Sequence, residues 1–146
     1  VRAAMGPHDR LLLGVDVRRD RGQLEAAYND VGGVLAAYHE RALAALNREL
    51  GTDFDPARFH YRAVYDEENR RVEMHLVASG AVQATVPGLG VLAFRRGDSI
   101  RAAVHCVYDR GRVTAMMDGV GLRLAGWAAD EGGTFAIALA APAVGA

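Results

Sequence analysis

Leu11-Leu12-Leu13-Gly14-Val15-Asp16-Val17 is an unbroken apolar run closing on an acid, and it limits the possible folds more than any other stretch of the chain. A continuous apolar run, unlike an alternating one, marks a strand covered on both faces, as in a parallel sheet. A parallel strand needs neighbours. The residues before it, Val1 to Arg10, carry charge, glycine and proline and supply none. The expectation is a sheet whose front is absent, in a chain that starts at Val1, as a processed chain or a fragment would.

Helical signals follow. Asp20-Arg21-Gly22-Gln23 is an N-cap with Gln three residues on, a capping-box variant. Leu24, Tyr28, Val31, Leu35, Tyr38, Ala42, Leu46 and Leu50 then recur at three- and four-residue steps, one apolar stripe of a long helix. Gly51 stands where a glycine would end it. Gly32 and Gly33 each cost about 1 kcal/mol relative to Ala inside a helix, so the stripe either packs closely there, breaks into two helices or admits a ligand.

The next signals are of period two. Asp55-Pro56 opens a short helix. Tyr61–Tyr65 and Val72–Ala78 flank the polar turn Asp66-Glu67-Glu68-Asn69, and Val82–Val86 and Val91–Phe94 flank Pro87-Gly88-Leu89-Gly90. Ser99–Tyr108 alternates, with Ile100, Ala102, Val104 and Cys106 on one face and Arg101, Ala103, His105 and Val107 on the other. A helix around Val113–Val120 precedes strands at Leu122–Ala128 and Thr134–Ala140, joined by Asp130-Glu131-Gly132-Gly133. The layout predicts an α/β chain of α+β character.

Composition closes several functional classes. The chain has no Lys at all, which removes Schiff-base, pyridoxal-phosphate, phosphate-loop and Lys general-base chemistry. The Arg pairs (Arg18–Arg19, Arg70–Arg71, Arg95–Arg96) are interspersed with acids and the net charge is -1, so no basic stripe for nucleic acid emerges. The longest apolar run, near Phe135–Ala141, is too short to cross a bilayer. The first residues lack the apolar core of a signal peptide, and the single Cys106 fits a reducing, cytoplasmic compartment.

Individual motifs are weak. Gly88-Leu89-Gly90-Val91-Leu92-Ala93 matches a dinucleotide fingerprint as a string, but Pro87 precedes it and β-formers follow, so it reads as a hairpin turn. His105 and Cys106 alternate to opposite faces of one strand, which leaves Cys106 as a small core residue. The five histidines show no metal-ligand spacing, and neither serine sits in an elbow motif. Tyr28 and Met74 read as core. From composition and spacing alone the substrate stays open.

The ordered runs Leu12-Leu13-Gly14-Val15-Asp16-Val17, Leu24-Glu25-Ala26-Ala27-Tyr28-Asn29-Asp30, Leu46-Asn47-Arg48-Glu49-Leu50-Gly51 and Asp53-Phe54-Asp55 carry a resemblance. Arg58-Phe59-His60-Tyr61-Arg62-Ala63 and Val72-Glu73-Met74-His75-Leu76-Val77 continue it, in register from about Asp9 to Gly97. Together they resemble the histidine-specific, S-adenosylmethionine-dependent methyltransferases of the ergothioneine-pathway Nα-methyltransferase type. The resemblance implies the C-terminal part of a class I methyltransferase sheet with an inserted substrate-binding domain of helices and antiparallel meander. Residues 1–18 would end the core at its fifth strand, residues 19–107 would form most of the substrate domain, and residues 108–146 would return to the core as a helix and an antiparallel strand pair. S-adenosylmethionine (SAM) would then be bound by an N-terminal half not in this chain, which alone would be inactive. The partners implied are that core and a small amino-acid-like substrate.

In such an enzyme a neutral amine attacks the sulfonium methyl in line, so the protein must hold the amine at near-attack distance and anchor the carboxylate. By resemblance Tyr28 contacts the backbone end of the amino acid and Met74 lines its side-chain pocket. Where the family grips the imidazole with a Glu and, two positions on, a Ser, this chain has Ala103 and His105. A charge-assisted hydrogen bond is worth about 1.5–3 kcal/mol, so histidine should bind roughly ten- to a hundredfold more weakly. The resemblance thus implies an amino-acid N-methyltransferase whose substrate is not histidine and is larger or more apolar. The alternative is a non-catalytic remnant or accessory subunit offering a binding surface. In either case an isolated piece of sheet leaves a strand edge open, so self-association through Leu11–Val17 is expected.

Overall fold

The computed structural model describes residues 1–29 and 32–143. The described elements are, in order, β1 (Leu11–Asp16), α1 (Arg21–Asn29), α2 (Val34–Leu50), β2 (Phe59–Asp66), β3 (Arg71–Ala78), β4 (Val82–Val86), β5 (Gly90–Phe94), β6 (Ser99–Cys106), α3 (Arg110–Asp118), β7 (Leu122–Ala129) and β8 (Phe135–Pro142). Single turns of tighter helix occur at Arg2–Ala4 and Pro56–Arg58. The chain folds as two compact units, residues 1–19 with 106–146, and residues 20–105.

The first unit is a three-stranded sheet in the order β1-β8-β7 with α3 packed on β7. Both pairings are antiparallel, with Leu11 opposite Ala140 and Asp16 opposite Phe135. Ala136, Ala138 and Ala140 present only methyl groups on one face of β8, and Val15, Val113, Met117 and Leu122 complete the buried cluster with them. Asp109 caps α3 by accepting from the Arg112 amide at 2.8 Å, so the helix starts three residues before the expected Val113. Asp130 closes the β7–β8 turn, accepting from the amides of Thr134 and Phe135 at 2.7 and 2.8 Å.

The parallel expectation for β1 needs correction. The partner that β1 finds within the described residues is β8, and it is antiparallel. Nor is the strand covered on both faces: Leu12 is 66% exposed, and Phe135 and Ile137 on the same face are exposed too. The apolar run is therefore half satisfied here, with β1 at one end of the sheet.

In the second unit, β2, β3 and β6 form one sheet in that order, and β4 and β5 form a separate hairpin. The predicted long helix divides into α1 and α2. Gly33 adopts φ 68° ahead of α2 and Gly51 adopts φ 67° after it, left-handed values that a side chain would resist. Val31 of the expected stripe, like Asp30 before it, lies outside the described residues. The stripe is also displaced in α2: Tyr38, Leu46 and Leu50 are exposed, while His39 and Leu43 are buried. The cause is the partner surface. Leu43 joins Phe54, Phe59, Leu76, Ala78 and Ala84 in the core.

Helix α1 runs along the outer edge of β2 and occupies its spare backbone groups. Asn29 accepts from the Ala63 amide at 2.8 Å and donates to the Ala63 carbonyl at 2.9 Å. Glu25 accepts from the Tyr65 amide at 3.2 Å and Arg21 donates to its carbonyl at 3.1 Å. Three side chains four residues apart on one helix face thus cover an edge strand that would otherwise invite pairing. The caps at Asp20 and Asp55 form as expected, accepting from the amides of Gln23 and Ala57 at 2.7 and 3.1 Å. Gly90 leads directly into β5, so the G-x-G string belongs to a β-hairpin.

Candidate functional site

Tyr38, Arg41, Ala42 and Ala45 fall at helical spacing on one side of α2 and face Ala102 and Ala103 of β6. With His39 they line an open hollow of about 540 Å³. Alanine at Ala42, Ala45, Ala102 and Ala103 is what makes the space: larger side chains at these positions would close helix on strand. A second groove of about 460 Å³ shares Ala42, Ala45 and Ala102 and continues to Leu46, Glu49, Ile100 and Arg101.

Two of the lining residues, Tyr38 and His39, begin a chain of ring contacts. His39 is buried, stacks on Tyr61 with ring centroids 5.2 Å apart and planes 10° apart, and meets Tyr38 edge-on at 5.2 Å. Burial holds its imidazole below the usual histidine pKa. The Tyr61 hydroxyl donates to the backbone carbonyl of Tyr28 at 2.8 Å. The Tyr28 ring in turn lies 5.1 Å from that of His105. Nε2 of His105 is buried and has no hydrogen-bond partner among the described residues. Such orphaned polar atoms are uncommon in folded proteins and mark places where a ligand or water can complete the bond.

The candidates named from the sequence are placed as follows. Tyr28 ends α1 partly buried; Ala103 and His105 are partly buried on β6; Met74 is buried on β3, opposite Ala63. Ala103 lines the hollow, and Tyr28, Met74 and His105 are not among its lining residues. On β6, Ala102 and Val104 are exposed while Ala103 and His105 are partly buried. The spacing argument missed His39, Arg41 and Tyr61, and it placed Tyr38 and Ala42 in the core. The usable signal was Tyr38, Arg41, Ala42 and Ala45 at steps of three and four, one residue out of phase with the buried Leu43.

The opposite face of β3 carries a charged network. Glu73 meets Arg71 at 2.6 Å, Arg101 at 3.0 Å and His75 at 3.1 Å, and His75 Nδ1 lies 3.1 Å from the Ser99 hydroxyl. Burial pushes the Glu73 carboxyl up, but hydrogen bonds from His75 and Arg101 and the nearby guanidinium charges outweigh it and hold it below the carboxylate range. This network ties β6 to β3 and contains none of the candidate residues.

Comparison with known proteins decides the ancestry. The model of the histidine-specific, SAM-dependent methyltransferases matches residues 1–142. The chain belongs to this family. It is 38% identical to the histidine N-alpha-methyltransferase of Mycolicibacterium smegmatis over 135 residues, covering 92% of this chain and 42% of that protein. The corresponding enzyme of Mycobacterium tuberculosis is 38% identical over 138 residues, covering 94% of the chain and 43% of its own length. The chain thus spans less than half the length of these curated relatives.

The family uses SAM. Sheet folds that hold a nucleoside cofactor do so at a glycine-rich turn between a strand and a helix N-terminus. Among the described residues no such turn occurs, and Gly88 and Gly90 serve a hairpin instead. These residues do not fit the cofactor. Among the described residues, also, no three His, Cys, Asp or Glu side chains gather as a metal site, and no helix is long and apolar enough to cross a membrane.

Proposed function

We propose that this chain is the acceptor-binding portion of a SAM-dependent amino-acid N-methyltransferase whose substrate is an amino acid other than histidine. The observation that carries the reading is the replacement at the strand face beside the hollow: Ala103 lines it and its side chain offers no hydrogen bond, and no carboxylate is among its described lining residues. An imidazole seated there would lack a charged acceptor, while the space left by alanine suits a larger or more apolar side chain. Residues 19–107 act as the substrate-binding domain. Tyr28, whose carbonyl accepts from the Tyr61 hydroxyl, and His105, whose ring lies beside that of Tyr28, contact the amino acid, and Met74 lines its side-chain pocket as the family resemblance implies. Residues 1–18 and 108–146 belong to the methyltransferase core, and the cofactor is held by residues outside this chain. The protein works in the cytoplasm.

The test is direct. The protein carrying this chain is incubated with methyl-labelled SAM and a panel of free amino acids, and the products are separated by chromatography. N-methylation of an amino acid other than histidine is expected. Histidine as the preferred acceptor refutes the altered specificity, and transfer to none of the panel refutes the enzyme.

A second reading is supported by the lack of a cofactor cradle among the described residues. The chain would then be a non-catalytic accessory subunit, and the same incubation would show binding of the amino acid without transfer.

A further inference from the structure

We infer that the hollow between α2 and β6 selects a side chain ending in an anion, so that the substrate class is an amino acid with a carboxylate-ended, partly apolar side chain. The inference rests on the hollow being the amino-acid site and adds the chemistry of what fills it.

The charge inventory points this way. Of the described lining residues Tyr38, His39, Arg41, Ala42, Ala45, Ala102 and Ala103, Arg41 alone carries a fixed charge, and none is an acid. Arg41 has neither an ion pair nor a hydrogen bond among the described residues. That sets it apart from its neighbours. Arg101 is held by Glu73 at 3.0 Å, and Arg48 by Glu49 at 2.8 Å, which also engages the acid of the adjoining groove. A guanidinium at the side of an apolar hollow offers a planar fork matched to a carboxylate.

A second unsatisfied group lies on the same strand face. His105 follows Ala103 by two residues, and its buried Nε2 lacks a partner among the described residues. His105 does not line the hollow, so Arg41 is the donor that a carboxylate-ended side chain would meet there. A cationic side chain would meet Arg41 with no acid to offset it. The alanines give the stem apolar contact, and Tyr38, 69% exposed, stands at the rim where a planar group could lie against it.

Calorimetry of the chain with para-carboxyphenylalanine, phenylalanine, histidine and lysine tests the inference. Para-carboxyphenylalanine should bind about tenfold or more tightly than phenylalanine, the discrimination expected of one charge-assisted pair. Arg41→Gln should abolish that difference; circular dichroism verifies that this exposed substitution leaves the fold intact. Equal affinity for the two aromatic amino acids, or tighter binding of histidine or lysine, overturns the anionic class while the amino-acid site stands. Failure to bind any of the four at millimolar concentration overturns both.

Discussion

Replacing Asn29 by Ala removes the hinge between α1 and the sheet. The Asn29 amide makes two hydrogen bonds to Ala63, at 2.8 and 2.9 Å, and a third to the Glu25 carbonyl at 2.9 Å. Ala63 is 3% exposed, so water cannot readily replace the lost partners. Each buried backbone group left unsatisfied costs about 1–3 kcal/mol, and the bond within the helix adds little because the exposed carbonyl of its own turn can hydrate. The expected loss is about 2–4 kcal/mol, reduced from the full sum because the helix end can shift toward solvent. Urea unfolding followed by far-ultraviolet circular dichroism measures it; Trp127 lies in the other unit and would not report the change. The midpoint should fall at an unchanged slope, and the Ala63 amide should lose protection from hydrogen exchange. Tyr28 adjoins Asn29, so the ring resonances of His105 should move as well. A loss below about 0.5 kcal/mol, the range of ordinary surface substitutions, would refute the edge-covering role of α1.

Three further outcomes are expected. His39 is held neutral by burial, so its folded pKa lies below the 6.5 of the unfolded chain; stability should decline as pH falls below that unfolded value, because the unfolded chain binds a proton the folded one refuses, and His39→Phe should flatten this limb of the stability–pH profile. Leu43→Ala in the core of the second unit should cost about 2–5 kcal/mol by urea unfolding, the range for a buried leucine that leaves a cavity. The edge of β1 away from β8 has no strand partner among the described residues, so the chain should self-associate through Leu11–Asp16; light scattering should show dimers or larger species, and a Leu12→Lys substitution should shift them to monomer, since a charge on an exposed strand face opposes pairing.

What the sequence determined by itself is local. Asp20, Asp55 and Asp130 announce their caps and turns because each bonds to amides within five residues, and the hairpins at Asp66–Asn69 and Pro87–Gly90 follow from turn chemistry between alternating strands. Ancestry was also legible, through ordered runs of residues rather than through any single motif. The tertiary structure decided the rest, because it depends on which surface each element meets. Nothing near Leu11 in sequence specifies that its partner is Ala140, antiparallel. Periodicity placed Tyr38 inside and ignored His39; the fold reverses them, since Leu43 follows the phenylalanine core and the imidazole gains a stacked partner in Tyr61. Tyr28 and His105 meet, and Arg41 comes to border an alanine-floored hollow, only because α1, α2 and β6 assemble in one unit. Contacts between residues distant in the chain are set by packing, and packing has no period to read.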